Sequence, residues 1–332
     1  MKMKKWLSGI LAVVMLTGLL VGCGSSGNNS QSAQSSADSG DLKEFKMTYV
    51  TWVGCAPLFI AQEKGFFEKY GIKPELILNE DESQGASLIY SNSIQAASCV
   101  MDKVVLNYAN GTGQKVALIF DESTGGDGII ASADIKTVED LKGKKVGIDK
   151  ASTEYFFLNA ILKDHNMSMD DLIISDMDAS SAGTSFISGE LDAAVVWEPW
   201  LTNASQREGG HVLVSSKEYP RIIMDSLTVS KTFFEENPEC VEALKNAWCD
   251  AIDYYKENPE ESIEIMARGL DLTVEDMEGM LPGVTFMGRK ENEAFFDKSA
   301  ENNIYDVAQD MADFWAEIGS ISADLDINGL FE

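Results

Sequence analysis

The sequence contains little histidine, little cysteine and few basic side chains, and each shortage excludes a class of function. Two histidines and five cysteines are scattered over 332 residues, without the spacing of a catalytic triad or of a metal centre. The 26 lysines and arginines face 54 acidic residues, which gives a formal net charge of −28. Because phosphate binding needs a basic face, nucleic acid is excluded as a partner.

The N-terminus has the layout of a secretory signal. Three lysines within residues 2–5 precede an apolar run over residues 6–21, which is shorter than the roughly 20 residues needed to span a bilayer. The Leu-Val-Gly-Cys sequence that ends at Cys23 resembles a bacterial lipobox. The resemblance implies a signal peptide over residues 1–22 and a diacylated Cys23, which would anchor the protein to the outer face of the cytoplasmic membrane.

The next segment has the composition of a linker. Residues 24–40 are almost entirely Ser, Gly, Asn, Gln and Ala, which bury too little apolar surface to order a chain. We therefore predict a flexible tether over residues 23–41. The folded part begins near Leu42 and runs for about 290 residues, enough for one large α/β domain or for two lobes.

Four further cysteines, Cys55, Cys99, Cys240 and Cys249, lie in the folded part. Cys240 and Cys249 fall on one predicted helix about 13 Å apart, which is too far for a disulfide. A Cys55–Cys99 bond stays open. We predict that all four are free and mostly buried thiols.

The stretch Thr48–Phe67, TYVTWVGCAPLFIAQEKGFF, organises the rest of the chain. A β-type run over residues 47–53 reaches a turn at Gly54, and Pro57 suits the first turn of a helix that stops near Gly65. The turn residues therefore stand at the carboxyl end of a strand, beside free backbone N–H groups. In open α/β sheets, ligands bind at that place.

Strands alternate with helices along most of the chain, which predicts an α/β fold with a largely parallel sheet. The predicted strands after the first are residues 74–78, 94–100, 115–120, 129–132, 144–148, 173–177, 193–196, 211–214 and 222–230. The predicted helices are residues 83–91, 103–110, 154–163, 180–188 and one that follows Pro199, with a capped helical turn over 137–141.

Beyond Thr232 the pattern is helical only. Asn-Pro pairs open helices at residues 237–238 and 258–259, and one long helix is predicted over 297–318. We expect this tail to pack on the first block, with chain crossings near 131–135 and 224–228. Lobe 1 would then hold residues 42–131 and 229–332, and lobe 2 residues 132–228.

Four segments in order carry a resemblance to a known family. They are TWVGCAPLFIAQEKGFFEKYGI at Thr51–Ile72, IQAASCVMD at Ile94–Asp102, TVEDLKGKKVGI at Thr137–Ile148 and FISGELDAAVVWEPWL at Phe186–Leu201. The chain resembles substrate-binding proteins of bacterial ABC importers, in the group that includes nitrate-, taurine-, alkanesulfonate- and thiamine-precursor-type proteins (SsuA/THI5-like).

The resemblance implies a type II periplasmic-binding-protein fold, in which two lobes with mixed, mostly parallel sheets close on a small-molecule ligand. It also implies a permease and an ATPase as partners. The chain contains neither a GxxxxGK[ST] phosphate loop nor a second apolar span, so those partners are separate proteins. We expect a monomer that needs no cofactor and has no catalytic residues.

Positions that match the family's cleft give the candidate ligand-binding residues. In lobe 1 they are Trp52, Gly54, Cys55, Ser83, Gln84, Ser98, Asp102, Ser123, Thr124 and Asp127; in lobe 2 and on the return crossing they are Ser152, Thr153, Tyr155, Trp197, Glu198 and Asp225. Trp197 and Glu198 are the strongest pair, since an indole offers a flat wall and a carboxylate fixes a donor.

Three alternatives stay open among these positions. Asp102 is also placed to cap a helix, the glycine-rich loop over 122–128 also fits a plain hairpin turn, and Cys55 stands where the family commonly has a larger or polar residue. Trp200, one turn into its helix, is expected in the core.

The charge of the ligand follows from the candidates. Helix N-termini at Ala56, Ser83 and Ser152 would suit a sulfonate, nitrate or carboxylate. The candidates include several carboxylates and no lysine or arginine, however, and burying an anion among them would cost roughly several kcal/mol. We therefore expect a nitrogenous, aromatic or zwitterionic solute, with an alkanesulfonate or nitrate as the alternative.

Two other classes share the fold. One is a pyrimidine-precursor synthase that uses pyridoxal phosphate and a sacrificed histidine, but both histidines here, His165 and His211, fall in predicted surface turns. The other is a lipid-anchored sensory ectodomain.

Overall fold

The computed structural model of the protein describes residues 42–80 and 82–332, with the side chains of 82 and 83 left out. The predicted signal peptide, the tether and the lipidation site Cys23 lie outside these ranges.

Strands and helices alternate over the first two thirds of the described chain. The strands are β1 (Lys43–Tyr49), β2 (Ile72–Leu78), β3 (Ala96–Val100), β4 (Lys115–Ser123), β5 (Asp127–Ala131), β6 (Lys145–Ile148), β7 (Ile173–Asp176), β8 (Ala193–Trp197), β9 (His211–Ser215), β10 (Met224–Val229) and β11 (Val284–Phe286). The helices are α1 (Pro57–Glu63), α2 (Phe66–Lys69), α3 (Glu82–Tyr90), α4 (Met101–Ala109), α5 (Thr153–Asp164), α6 (Ala179–Ile187), α7 (Trp200–Ser205), α8 (Lys231–Glu236), α9 (Pro238–Glu257), α10 (Pro259–Gly269), α11 (Val274–Met280), α12 (Arg289–Phe295) and α13 (Ile304–Glu317).

Two sheets form the framework, in the orders β11-β4-β10-β3-β1-β2 and β7-β6-β8-β5-β9. We call the first sheet with its helices lobe 1 and the second sheet with α5, α6 and α7 lobe 2. The α/β class and the mixed sheets are confirmed, but the expectation of mostly parallel pairing is wrong. Four pairings are parallel and five are antiparallel, because β5 and β10 run against both of their neighbours.

The chain crosses between the lobes earlier than predicted in both directions. Ser123 still pairs with Val284 in the first sheet, whereas Asp127 already pairs with Trp197 in the second. The outward crossing is therefore residues 124–126, and β5 belongs to lobe 2. The return crossing lies between residues 218 and 224, since β10 is a central strand of the first sheet.

Local signals in the sequence explain several helix starts. Proline occupies the first turn of α1, α9 and α10, as predicted. Thr137 and Asp140 form a capping box on a single 3-10 turn over Val138–Leu141. Asn303 accepts hydrogen bonds from the backbone N–H groups of Tyr305 and Asp306, so α13 begins there.

Four predicted elements need correction. The first strand ends at Tyr49, because Trp52 N–H donates to the Val50 carbonyl in a tight turn at 2.8 Å. The helix predicted over 297–318 starts only at Ile304, because Asn303 is its N-cap. The helical tail also contributes the short strand β11, and α4 begins at Met101 with Val100 as its N-cap, so Asp102 is not a cap.

Each lobe has an apolar core against its sheet. In lobe 1 the indole of Trp248 on α9 packs against Phe120 of β4 with ring centroids 4.3 Å apart. Cys55, Cys240 and Cys249 are buried and Cys99 is half-buried, and none of the four forms a disulfide, as predicted. Among the described helices, none combines the length and the apolar character that crossing a membrane requires.

Candidate functional site

A cavity of about 350 Å³ lies between the two lobes. It is lined by Val50, Thr51, Trp52, Glu80, Val100, Asp127, Asp149, Ala151, Ser152, Thr153, Glu154, Trp197, Ile223 and Asp225. These residues come from the ends of strands in both sheets, from the start of α5 and from the return crossing. The volume falls at the lower end of the range for small-molecule sites.

Trp52 forms a fixed aromatic wall of the cavity. Its indole N–H donates to Asp121 Oδ1 at 3.2 Å. A Cβ added to Gly54 would lie 2.3 Å from the indole nitrogen, and one added to Gly126 would lie 2.5 Å from its Cη2. Both glycines are therefore required for the ring to lie where it does.

Trp197 forms a second wall at the end of β8. It is half-buried and packs against the apolar cores of both lobes. Trp52 and Trp197 thus share one crevice, as the sequence predicts for the two indoles.

Carboxyl groups dominate the polar lining. Asp127 starts β5, Glu154 lies in the first turn of α5 and Asp225 lies on β10, and all three are buried. Burial, and then the charge of neighbouring acids, raises the pKa of Asp127 to about 7 and that of Glu154 to about 8. Behind Trp52, burial raises the pKa of Asp121 well above its usual range.

Two of these acids act on each other. Asp127 raises the pKa of Glu154, and each group would be negatively charged in water. Two neighbouring carboxyl groups cannot both ionise cheaply, so the pair holds a proton near neutral pH. Asp127 Oδ2 has no hydrogen-bond partner and is buried.

No lysine or arginine of the described chain lines the cavity. Lys103 of α4 is itself buried and donates its ammonium to the carbonyl of Ala151, a residue of the cavity lining. At the start of α5, Ser152 Oγ donates to the Asp149 carbonyl at 2.8 Å, and the Tyr155 N–H donates to the Ser152 carbonyl at 3.2 Å.

Of the predicted site residues, the cavity brings together Trp52, Asp127, Ser152, Thr153, Trp197 and Asp225. Gly54 and Cys55 lie behind Trp52. Cys55 is hydrogen-bonded to Ser98 at 3.1 Å, and Ser98 lines a separate cavity of about 20 Å³. Burial raises the pKa of the Cys55 thiol.

Two further predicted residues form hydrogen bonds at the outward crossing and do not line the cavity. The Ser123 hydroxyl lies 2.8 Å from the Ser216 hydroxyl, and Thr124 Oγ1 lies 3.2 Å from Thr285 Oγ1. The glycine-rich loop is therefore a crossing between the lobes and not a hairpin turn.

Asp102 and Tyr155 lie where the lobes touch. Asp102 is fully buried and accepts a hydrogen bond from Thr153 Oγ1 at 2.7 Å, which joins α4 of lobe 1 to α5 of lobe 2. Tyr155 packs against apolar side chains of both lobes.

Glu198 points away from the cavity. Its carboxylate accepts hydrogen bonds from the Thr202 N–H at 3.1 Å and from Thr202 Oγ1 at 2.6 Å, so it caps the start of α7. Burial raises its pKa. Gln84 is exposed on α3, and the Ser83 side chain lies outside the described part of the chain.

Sequence reasoning missed eight lining residues: Val50, Thr51, Glu80, Val100, Asp149, Ala151, Glu154 and Ile223. A signal was present for two of them. Asp149 directly follows the predicted strand 144–148, and Glu154 opens the predicted helix 154–163 beside Thr153. The others are joined only by the fold, as when Thr51 N–H donates to Glu80 Oε1 at 3.0 Å across 29 residues.

Comparison with known proteins identifies the family of this chain. A family model described as NMT1/THI5-like matches residues 52–262, more than half of the chain. The chain belongs to the NMT1/THI5-like family. An aliphatic sulfonates-binding protein of Bacillus subtilis (strain 168) is 25% identical over 330 residues, which cover 98% of this chain and 94% of that protein.

Two further similar proteins have names that describe them as binding proteins. The taurine-binding periplasmic protein of Escherichia coli (strain K12) is 27% identical over 218 residues, 63% of this chain and 66% of that protein. The periplasmic aliphatic sulphonate binding protein SsuA from Escherichia coli has a similar structure, with a TM-score of 0.73 at 19% identity over 87% of this chain and 97% of that one.

These likenesses confirm the periplasmic-binding-protein fold. The relatives and structural neighbours named above are solute-binding proteins.

Proposed function

We propose that this chain captures a small nitrogenous, aromatic or zwitterionic solute between its two lobes and delivers it to the permease of an ABC importer. The single observation that carries the proposal is the composition of the cavity between the lobes. Two indoles and five carboxylates line it, without a lysine or arginine from the described chain.

The alternative ligand is a simple anion, as the names of the sulfonate-binding relatives suggest. A bare anion in this cavity would lie beside Asp127, Glu154 and Asp225 with no cationic partner. That arrangement costs roughly several kcal/mol. Taurine, a zwitterion, remains within the proposed class because its ammonium group can face the acids.

We further propose that the protein is extracytoplasmic, anchored through a lipid on Cys23 and monomeric. The support for the anchor is the basic head, the apolar run and the lipobox-like residues that end at Cys23. The permease and the ATPase would be separate proteins, and the lobe surfaces around the cavity would present the closed form to them.

A thermal-shift screen of the full chain in a mild detergent tests the proposed function. The panel holds thiamine-pathway pyrimidines, riboflavin, taurine, alkanesulfonates, nitrate and polyamines. A ligand that binds only the folded state raises the melting temperature by mass action. We expect a response to nitrogenous or aromatic compounds. A response confined to nitrate or simple alkanesulfonates would refute the proposed ligand class.

A further inference from the structure

We propose that the Asp127–Glu154 carboxyl pair is the binding site for a positively charged nitrogen of the solute, and that the pair releases a proton when the cation binds. This inference rests on the proposed function and narrows it. The solute class is an organic cation, a protonated amine or an amidinium, attached to a flat or apolar group that fits between the two indoles.

The pair is built into the cavity from two elements of lobe 2. Asp127 is the first residue of β5 and Glu154 lies in the first turn of α5, and they are 4% and 3% exposed. Both line the cavity, and Asp127 raises the pKa of Glu154. Asp127 Oδ2 is buried and has no hydrogen-bond partner. A buried acceptor without a partner is costly, and a donor from the ligand that reached it would remove that cost.

The charges that face the pair are nearly all negative. Asp225 of β10 and, from the turn after β8, Glu198 both raise the pKa of Asp127, and Asp127 raises the pKa of Asp121 on β4. Asp149 and Glu80 line the same cavity.

The ammonium group of Lys103 already has a hydrogen-bond acceptor within the protein. Lys103 of α4 donates to the Ala151 carbonyl and acts on the neighbouring Asp102, which is buried and bonded to Thr153. The cluster therefore keeps an excess of negative charge that a cationic ligand would balance.

A metal ion is not the cation that this geometry fits. Within residues 42–80 and 82–332, no three His, Cys, Asp or Glu side chains are arranged to hold a metal ion. The two indole walls favour an organic cation instead, since a cation over an aromatic face gains about 0.5–2 kcal/mol.

Binding of the cation displaces one proton from the carboxyl pair. The empty protein holds a proton on the carboxyl pair near neutral pH. When the cation binds, its N–H groups donate to the carboxylate oxygens, the pair loses its proton to solvent, and no covalent bond to the ligand forms. Release of one proton makes the association constant rise about tenfold per pH unit while the pair is protonated.

Isothermal titration calorimetry of the full chain in a mild detergent tests the inference. The cationic probes are phenethylamine and benzamidine, the neutral isosteres are 2-phenylethanol and benzamide, and the anion is 2-phenylethanesulfonate. We expect a cation to bind more tightly at pH 8.5 than at pH 6, with a heat that depends on the buffer because protons are released. The neutral and anionic probes should bind at least tenfold more weakly.

Variants separate the pair from the rest of the cluster. Glu154→Gln keeps a hydrogen-bonding group but cannot share a proton, so the rise in cation affinity between pH 6 and pH 8 should flatten. The matched control, Glu190→Gln, removes an equal charge from an exposed position of lobe 2 and should leave the pH dependence unchanged. If Glu154→Gln fails to fold, the dependence of the binding heat on the buffer, measured with the unaltered chain, shows whether a proton is released.

The inference is overturned if neither cation binds at either pH, if the isosteres bind as tightly as the cations, or if binding is independent of pH. A ligand found among the neutral heterocycles of the thermal-shift screen, with no binding of cations, would leave the proposed function intact and remove this inference. An absence of any response in both experiments would remove both.

Discussion

Trp197 and Glu198 are neighbours in the sequence, yet their side chains have different structural roles. Trp197 lines the cavity and touches the cores of both lobes, whereas Glu198 is bonded to Thr202. The sequence pairs the two residues because both follow a buried strand. Glu198 lies in the turn after β8, where its carboxylate is bonded to Thr202, so only Trp197 reaches the cavity.

Truncating Trp197 should remove solute binding. Trp197→Ala deletes one apolar wall, and buried tryptophans at binding sites typically contribute about 2 kcal/mol or more. We expect affinity for a solute found in the screen to fall at least about tenfold. Trp200→Ala is the matched control, since Trp200 lies on α7 in an outer groove with Ile187 and should leave affinity unchanged. Equal losses in both variants, measured by calorimetry, would contradict the assignment.

Changing Glu198 should affect stability and spare binding. Glu198→Ala leaves the Thr202 N–H without its acceptor, and losing such a cap costs about 1 kcal/mol. That loss lowers the melting temperature by about 2–4 °C. Glu198→Gln keeps an acceptor oxygen and should melt close to the unaltered protein. A large loss of solute affinity in Glu198→Gln would show that the carboxylate contacts the ligand after all.

At the scale of elements, the two lobes are tied together at the outward crossing. The Gly283 carbonyl, just before β11, accepts hydrogen bonds from Thr124 N–H at 2.9 Å and from Gly126 N–H at 3.0 Å. Glu198 N–H in turn donates to the Gly126 carbonyl at 2.9 Å. Residues 124–126 thus lie between the helical tail of lobe 1 and the end of β8 in lobe 2.

A side chain at Gly126 should disturb both the crossing and the aromatic wall. In Gly126→Ala the new methyl group would lie 2.5 Å from Trp52 Cη2 and 3.1 Å from the Gly283 carbonyl oxygen. Such overpacking costs about 1–3 kcal/mol, so we expect a lower melting temperature and weaker solute binding. Gly279→Ala is the control, because a Cβ there meets no atom within 4 Å. A Gly126→Ala protein as stable as the control would contradict this packing.

Local chemistry made many elements predictable, whereas long-range pairing did not. Pro57 and the Thr137 capping box act within a few residues, so their elements could be located from the sequence. β11 is three residues long and exists only because Val284–Phe286 pairs with β4. The predicted crossings lie too far along the chain for the same reason, since the partner strand decides which sheet a strand joins.

The residues of the candidate site could also be predicted only where local sequence patterns locate them. Trp52, Asp127 and Trp197 stand at strand ends that sequence periodicity locates, and the fold brings all three to one cavity. The Asp127–Glu154 pair joins β5 to the start of α5 through the fold alone. The sequence indicated acidic candidates but not which of them would share a proton.

For the whole molecule, the buried acids make stability depend on pH. Folding raises the pKa of Asp127 to about 7 and that of Glu154 to about 8, so the folded state binds more protons than the unfolded state between about pH 4.5 and pH 8. The stability from these protons is complete below the unfolded pKa values. It is lost as the pH rises through the folded ones.

The empty protein should therefore melt at a lower temperature at pH 8.5 than at pH 5.5, by several degrees if about 1–2 kcal/mol is lost. Glu154→Gln should reduce the difference because one of the two titrating groups is gone. Differential scanning calorimetry at constant ionic strength measures both. A melting temperature that stays level or rises over this range would contradict the raised pKa values.

The most direct test of the whole account is a crystal structure of the protein with the tightest-binding amine from the titrations. The account predicts the amine between Trp52 and Trp197, with its nitrogen within hydrogen-bonding distance of Asp127 Oδ2. A ligand seated outside the cavity between the lobes, or one whose charged nitrogen faces away from Asp127 and Glu154, would contradict it.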